Sequence, residues 1–224
     1  MNKPLSILIV DDHPIIIEGY KHALVNMESA EYDIRVDTAS NCDDANYKIK
    51  TSARNNNPYD VIFLDIHLPP SRDGRITSGE DLGTIAKRLT PEAKIIILTM
   101  HNENFRIYNI LKSINPDGLL IKSDLTSDEF VRAFKVILER PPYYSYTVNN
   151  FLRLQTKNNV ILDDIDRAIL YHLSRGIRTK NLTEYISLSL AGIEKRKRQL
   201  KHSFGVERYD DERLIEIARE QGFI

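Results

Sequence analysis

The sequence predicts an α/β domain built on a doubly wound parallel sheet, followed by a small all-helical domain. Three observations carry this. Short apolar runs recur at Leu5–Val10 (broken only by Ser6), Val61–Leu64, Ile95–Leu98 and Leu119–Ile121. Runs of this length read as strands buried on both faces of a sheet. Amphipathic stretches separate them, and beyond residue 160 the pattern holds no strand-like run.

In chain order, strands are expected near 5–10, 33–38, 60–65, 94–98 and 117–121. Helices are expected between and after them, near 14–27, 42–54, 79–89, 103–113 and 126–138. The last of these repeats Phe130, Ala133, Phe134, Ile137 and Leu138 at helical spacing. Five strands alternating with five helices predict a parallel sheet, and right-handed crossovers place helices on both of its faces. Arg140-Pro141-Pro142 stops the fifth helix, because proline clashes with a preceding helical turn. A linker follows, with a short helix around Val148–Leu154 and an aromatic run, Tyr143-Tyr144-Ser145-Tyr146, read as packing against one domain. Four helices are then expected at 163–174, 179–186, 190–203 and 211–221. Gly176 is placed to end the first as a left-handed cap, Ser189 to cap the third, and Asp210 or Asp211 to cap the fourth. A short helix, a tight connection and a longer basic helix make a helix-turn-helix.

At 224 residues the chain suits one large or two small domains. A hydrophobic content of 42% allows an ordinary core, and a net charge of −1 requires any basic binding face to be local. The single cysteine, Cys42, excludes an intrachain disulfide and fits a reducing compartment. No apolar stretch is long enough to span a bilayer. Asp11-Asp12 cut short the apolar run after Lys3, so no signal peptide is read there and a cytoplasmic protein without membrane contact is expected.

The strand ends carry the chemistry. The first ends in Asp11-Asp12, the third in Asp65, the fourth in Thr99 and the fifth in Lys122. In open α/β sheets the working groups gather at the carboxyl ends of the strands. Singly, an aspartate after a strand is an ordinary turn residue and a lysine an ordinary surface charge. Together, three carboxylates, a hydroxyl and an ammonium make a site for a divalent cation and a phosphoryl group. Mg²⁺ prefers oxygen ligands. Asp12 and Asp65 are the expected direct ligands, Asp11 acts through water, and the backbone carbonyl of His67 adds another oxygen. Asp65 is the expected nucleophile, forming an aspartyl-phosphate. Lys122 neutralises phosphoryl charge, and the Thr99 hydroxyl hydrogen-bonds the bound group.

With Asp11-Asp12-His13-Pro14, Asp65 followed by Pro69, then Thr99 and Lys122, residues 4–138 resemble the receiver domain of two-component response regulators. The resemblance implies a flavodoxin-like strand order, a sensor histidine kinase as phosphoryl donor to Asp65, a requirement for Mg²⁺, and a regulatory protein rather than an enzyme. Two features depart from the pattern. Pro70–Ser78 extends the loop before Gly79, as a surface insertion or a lid-like element, and Leu119 stands where many receivers carry a switch aromatic. A haloacid-dehalogenase-like phosphatase also uses a strand-end aspartate with Mg²⁺. That family needs an acid/base aspartate two residues later, where this chain has His67.

From Leu162 onward the chain is similar to the LuxR/FixJ/NarL-type helix-turn-helix. The matching residues are Asp166, Ile169, Leu170, Gly176, Lys180, Leu182, Ile186, Leu188-Ser189, Ile193, Leu200, Phe204-Gly205-Val206 and Ala218…Gly222-Phe223-Ile224. Lys195-Arg196-Lys197-Arg198 and Lys201 charge the third helix, and such residues supply sequence-independent DNA affinity through phosphates. Ile193 and Leu200 mark the buried stripe. Glu194, Lys195 and Arg198 are then expected in the major groove, Lys197 and Lys201 at phosphates or in water, and Thr179 and Lys180 at phosphates. Glu194 replaces a usual lysine, Gly192 a usual threonine and Thr183 a small alanine. The expected organisation is a receiver at 1–139, a linker at 140–159 and a DNA-binding domain at 160–224. Double-stranded DNA is the partner, bound by a homodimer formed on phosphorylation. The alternative is a signalling receiver whose divergent helical domain binds a protein.

Overall fold

The computed structural model describes residues 3–27, 32–157, 160–206 and 210–224. The first two residues of the expected receiver and the last two of the expected linker, 158–159, lie outside the described residues. The chain divides into two compact units, one formed by 1–102 with 109–148, the other by 103–108 with 149–224.

The sheet runs β1 (Lys3–Val10), β2 (Tyr32–Ala39), β3 (Val61–Asp65), β4 (Lys94–Thr99), β5 (Gly118–Ile121) and β6 (Tyr143–Tyr144). Its spatial order is β2-β1-β3-β4-β5-β6, all parallel, which contains the flavodoxin-like order. The intervening helices are α1 (Pro14–Asn26), α2 (Cys42–Arg54), α3 (Gly79–Leu89), α4 (Asn104–Ile114) and α5 (Ser127–Glu139). Alternate strand residues Ile7, Ile9, Val61, Phe63, Ile96, Leu98 and Leu120 share one core with Leu24 of α1 and Phe130, Phe134 and Ile137 of α5. Their neighbours Leu8, Ile62, Leu64, Ile95, Ile97 and Leu119 point to the other face and are equally buried. Continuous burial of this kind is why the strands read as unbroken apolar runs.

The sixth strand is an addition to the five expected. Tyr143 and Tyr144 pair with Gly118 and Leu119. Ser145 continues the edge: its N–H reaches the Leu119 carbonyl at 3.1 Å, and its Oγ accepts the Ile121 N–H at 3.0 Å. Two residues following a proline pair give too short a pattern to read as a strand from sequence. The helix expected at Val148–Leu154 is longer, α6 (Tyr146–Lys157).

The extended loop is a tied turn. Ser71 is buried; its N–H donates to the Ile76 carbonyl at 2.8 Å, and its Oγ donates to Asp73 and accepts the Ile76 N–H. The Arg72 N–H reaches Asp43 of α2, and Thr77 bonds Asp81 through both its N–H and its hydroxyl. Gly79 then opens α3 against the end of β3. A Cβ there would lie 1.8 Å from the Asp65 carbonyl oxygen. Gly79→Ala is therefore expected to displace Asp65 and lower receiver stability by at least about 1–3 kcal/mol, the usual cost of overpacking. Thermal denaturation checks this, and an unshifted transition would show that the helix can slide away freely.

In the second unit the helices are α7 (Asp164–Ser174), α8 (Leu190–Ser203) and α9 (Asp211–Glu220). Their caps are Asp163, Ser189 and Asp210, each accepting the N–H three residues on. Gly176, at φ +80°, turns the chain after α7. Ile169, Leu170, Leu182, Ile193, Leu200, Leu214 and Phe223 form the core. The helix expected at 179–186 is a 3₁₀ helix over Thr179–Glu184 instead. Only Leu182 and Ile186 of that stretch are buried, too narrow an apolar stripe to hold two full α-helical turns.

Candidate functional site: an acidic pocket and a basic helix

Register in the sheet assembles the first site. Val10 pairs with Leu64, Asp65 with Leu98 and Thr99 with Ile121, so Asp11, Asp65, Thr99 and Lys122 leave four adjacent strands at one level. Lys122 Nζ donates to Asp11 Oδ2 at 2.6 Å and to Asp65 Oδ2 at 2.8 Å. These three side chains are 6%, 0% and 4% exposed respectively, so one ammonium offsets half of the negative charge of two carboxylates away from solvent. Thr99 Oγ1 accepts the His101 N–H at 3.0 Å, and the His67 N–H donates to Asp65 Oδ1 at 3.3 Å. Tyr20 stacks on Phe130 at 4.4 Å, and its phenol is pushed well above its ordinary range by burial and by the negative charge of Asp11 and Asp65.

Lys122 starts a 3₁₀ turn, Lys122–Asp124, that the edge strand fastens. Asp124 accepts the Ser145 hydroxyl at 2.6 Å and the Thr147 N–H and hydroxyl at 2.9 Å. Asp124, Ser145 and Thr147 thus position the lysine. The local sequence around them carries no signal of this, because the three are joined only by the sheet pairing of β5 with β6. Position 119 is a leucine, fully buried in β5, so no aromatic stands there to couple with Thr99.

Among the described residues, Asp11, Asp12, His13 and Asp65 present ligand atoms that all lie within 4.8 Å of one another. Asp12 Oδ1 is buried without a hydrogen-bond partner. Three converging carboxylates, one of them with an oxygen that accepts no hydrogen bond, fit a hard divalent cation.

The basic helix α8 divides into two faces. Glu194, Lys195 and Arg198 are exposed, as expected. Lys195 and Arg198 border a shallow patch with Gln199, His202 and Ser203, three residues the sequence reading passed over although they lie one turn along the same face. Lys180 is exposed at the start of the 3₁₀ helix. The remaining lysines and arginine of the helix are tied up in ion pairs. Arg196 pairs with Asp163 and Asp166, and Lys197 donates to Thr179 Oγ1 at 2.8 Å and to Asp211 at 2.9 Å. Lys201, expected at phosphates or in water, is buried and paired with Asp211. The reason is the arrival of Asp211 at the start of α9 beside α8, which repeat spacing on α8 cannot reveal. Burial raises the Asp211 carboxyl, but hydrogen bonds from Lys201 and Lys197 outweigh it and hold the group below its ordinary value.

Residues 7–133 match the response regulator receiver domain family. The nitrate/nitrite response regulator protein homolog of Haemophilus influenzae is 25% identical over 209 residues, covering 92% of this chain and 93% of the relative. The oxygen regulatory protein NreC of Staphylococcus epidermidis is 25% identical over 206 residues, covering 86% of this chain and 88% of the relative. Among solved structures, RcsB dimers bound to two parallel DNAs give a TM-score of 0.60 at 20% identity, covering 97% of this chain and 98% of that one. RcsB from Salmonella enterica serovar Typhimurium, bound to a promoter in the presence of phosphomimetic BeF3−, gives a TM-score of 0.60 at 20% identity over 95% of this chain and 97% of that one. These two likenesses show a shared fold. Among the described residues no helix is long and apolar enough to cross a membrane. With its flavodoxin-like sheet, its lysine-bridged aspartates at the strand ends and a family match over more than half its length, the chain belongs to the response regulator receiver family.

Proposed function

We propose that this chain is a phosphorylation-controlled regulator of transcription in the cytoplasm. The observation that carries the reading is the buried Asp11–Lys122–Asp65 arrangement with Thr99 beside it. A sensor kinase phosphohistidine delivers the phosphoryl group: its N–P bond breaks as a bond forms from an Asp65 carboxylate oxygen to phosphorus. Lys122 neutralises the incoming charge and Thr99 supplies a hydroxyl to the bound group. Asp12 and Asp65, with Asp11 and the His67 carbonyl in support, would hold Mg²⁺, which would supply positive charge for the phosphoryl oxygens. The protein is a phosphoacceptor, not an enzyme turning over a substrate. The added charge of about −1.5 to −2 shifts an existing equilibrium toward a homodimer. Lys195 and Arg198, exposed on α8 beside Glu194, then enter the major groove; RcsB, which shares the fold, is a DNA-bound protein.

A second reading, a protein-binding output domain, has its own support. The second helix of the expected helix-turn-helix is 3₁₀, and three basic residues of α8 are committed to ion pairs with carboxylates of this same unit. A selection from genomic DNA with and without acetyl phosphate separates the two. The expected result is a motif enriched by the phosphorylated wild type and lost in Asp65→Asn. Enrichment of no motif by phosphorylated protein would leave the protein-partner reading standing.

A further inference from the structure

We propose that Asp124 is a positioning residue that couples the phosphorylation site to the first turn of α6, and that a phosphoryl group on Asp65 loosens the hydrogen bonds Asp124 makes there. The inference rests on the reading of Asp65 as the phosphoacceptor, and names a route by which its state leaves the pocket.

The turn Lys122–Asp124 is tied at both ends. At one end Lys122 Nζ donates to Asp11 and Asp65 at 2.6 and 2.8 Å. At the other, Asp124 Oδ2 accepts the Ser145 hydroxyl at 2.6 Å and the Thr147 N–H at 2.9 Å, while Oδ1 accepts the Thr147 hydroxyl at 2.9 Å. Thr147 is the second residue of α6, where backbone N–H groups lack partners within the helix and negative charge is favoured. Asp124 therefore caps α6 from a turn 23 residues away. Ser145 is 1% exposed and its Oγ also accepts the Ile121 N–H, so the clamp is anchored on β5 itself. The same helix carries the chain from the first compact unit to the second, between residues 148 and 149.

The turn is closed by the Leu125 N–H on the Lys122 carbonyl at 3.3 Å, and its two ends lie roughly 4 Å apart at the 3₁₀ rise, so they move together. The Lys122 side chain is 6% exposed, which encloses its stem and limits how far the ammonium can swing alone. A phosphoryl group on Asp65 brings a charge of about −1.5 to −2 and new acceptor oxygens beyond the carboxylate. The ammonium that bonds Asp65 follows them and draws the turn with it. Bonds of 2.6–2.9 Å at Asp124 already have their best lengths, so displacement can only weaken them. This route needs no switch aromatic, whose place Leu119 takes.

The test uses the full chain with beryllofluoride and Mg²⁺ as the phosphoryl mimic. Amide hydrogen exchange, read by nuclear magnetic resonance, should show the Thr147 N–H exchanging about fivefold faster or more once the mimic is bound. The Asp44 N–H, held by the Asn41 cap of α2, should keep its rate. Coupling is reciprocal, so removing the clamp should make the mimic bind more tightly. The expected gains are about tenfold in Asp124→Ala and about threefold in Thr147→Val, which loses only the hydroxyl contact. A clamp that merely supports Lys122 predicts the opposite sign, weaker binding in both variants. Unchanged or weaker binding in the variants, or a Thr147 amide that the mimic leaves unmoved, would overturn the proposal while Asp65 kept its role. Should Asp124→Ala fail to fold, Thr147→Val decides alone. If wild type does not bind the mimic, or Asp65→Asn binds it equally well, the phosphoacceptor reading fails and the coupling with it.

Discussion

Lys122→Ala is expected to lower the stability of the receiver by about 3–5 kcal/mol in metal-free buffer, the usual cost of breaking a buried ion pair from one side. Asp11 and Asp65 are 0% and 4% exposed, and one ammonium bridges both. Without it, two carboxylates face each other in a poorly solvated pocket. Millimolar Mg²⁺ should recover part of the loss, because a cation in the pocket replaces the missing charge and binds only the folded state. Acetyl phosphate labelling of Asp65 should fall even where the variant is folded. Urea denaturation with and without Mg²⁺ measures both effects. A variant as stable as wild type in chelator would show that the bridge holds nothing together and that the lysine serves the phosphoryl group alone.

Lys201→Ala is expected to act on folding, not on DNA. Its side chain is 4% exposed and its ammonium pairs with Asp211. Removing the stem leaves a cavity and removing the charge weakens a shared network, a loss of about 2–4 kcal/mol in the second unit. Asp211 keeps Lys197 at 2.9 Å, which prevents the full penalty of an isolated buried charge. Lys195→Ala should do the opposite, leaving stability unchanged and lowering the salt slope of DNA binding by about one if it meets a phosphate. The network also sets a pH limit. The Asp211 carboxyl is held below its ordinary value, so its contribution is present above that ordinary value and is lost as pH falls through the lowered one. Lys201→Ala should flatten that acid limb. Equal salt slopes for the two variants, with no loss of stability in Lys201→Ala, would return Lys201 to the DNA face.

The strands and the order of the site residues were legible in the sequence because they depend on local patterning. A strand buried on both faces must be apolar throughout, and the residue that follows it in a parallel sheet must emerge at the carboxyl edge. Asp11, Asp65, Thr99 and Lys122 follow from those two facts alone. The cap at Ser189 was legible for the same reason, since it acts over three residues; of the two candidates for the last helix, Asp210 or Asp211, the structure uses Asp210.

Other features depend on partners distant in sequence. β6 is two residues long and exists because the edge of β5 offers unpaired backbone groups. The turn carrying Lys122 is fastened by Ser145 and Thr147, 23 and 25 residues away, through Asp124. The basic run of α8 shows charge but not its partners: Arg196, Lys197 and Lys201 are engaged in ion pairs because Asp163, Asp166 and Asp211 come from other helices to meet them. Sequence by itself determined the parallel sheet, the acidic pocket and the presence of a basic helix, since hydrophobic period and strand-end position are local properties. Tertiary structure alone decided which lysines are anchors and which face solvent, because a buried or paired charge is defined by the groups that surround it.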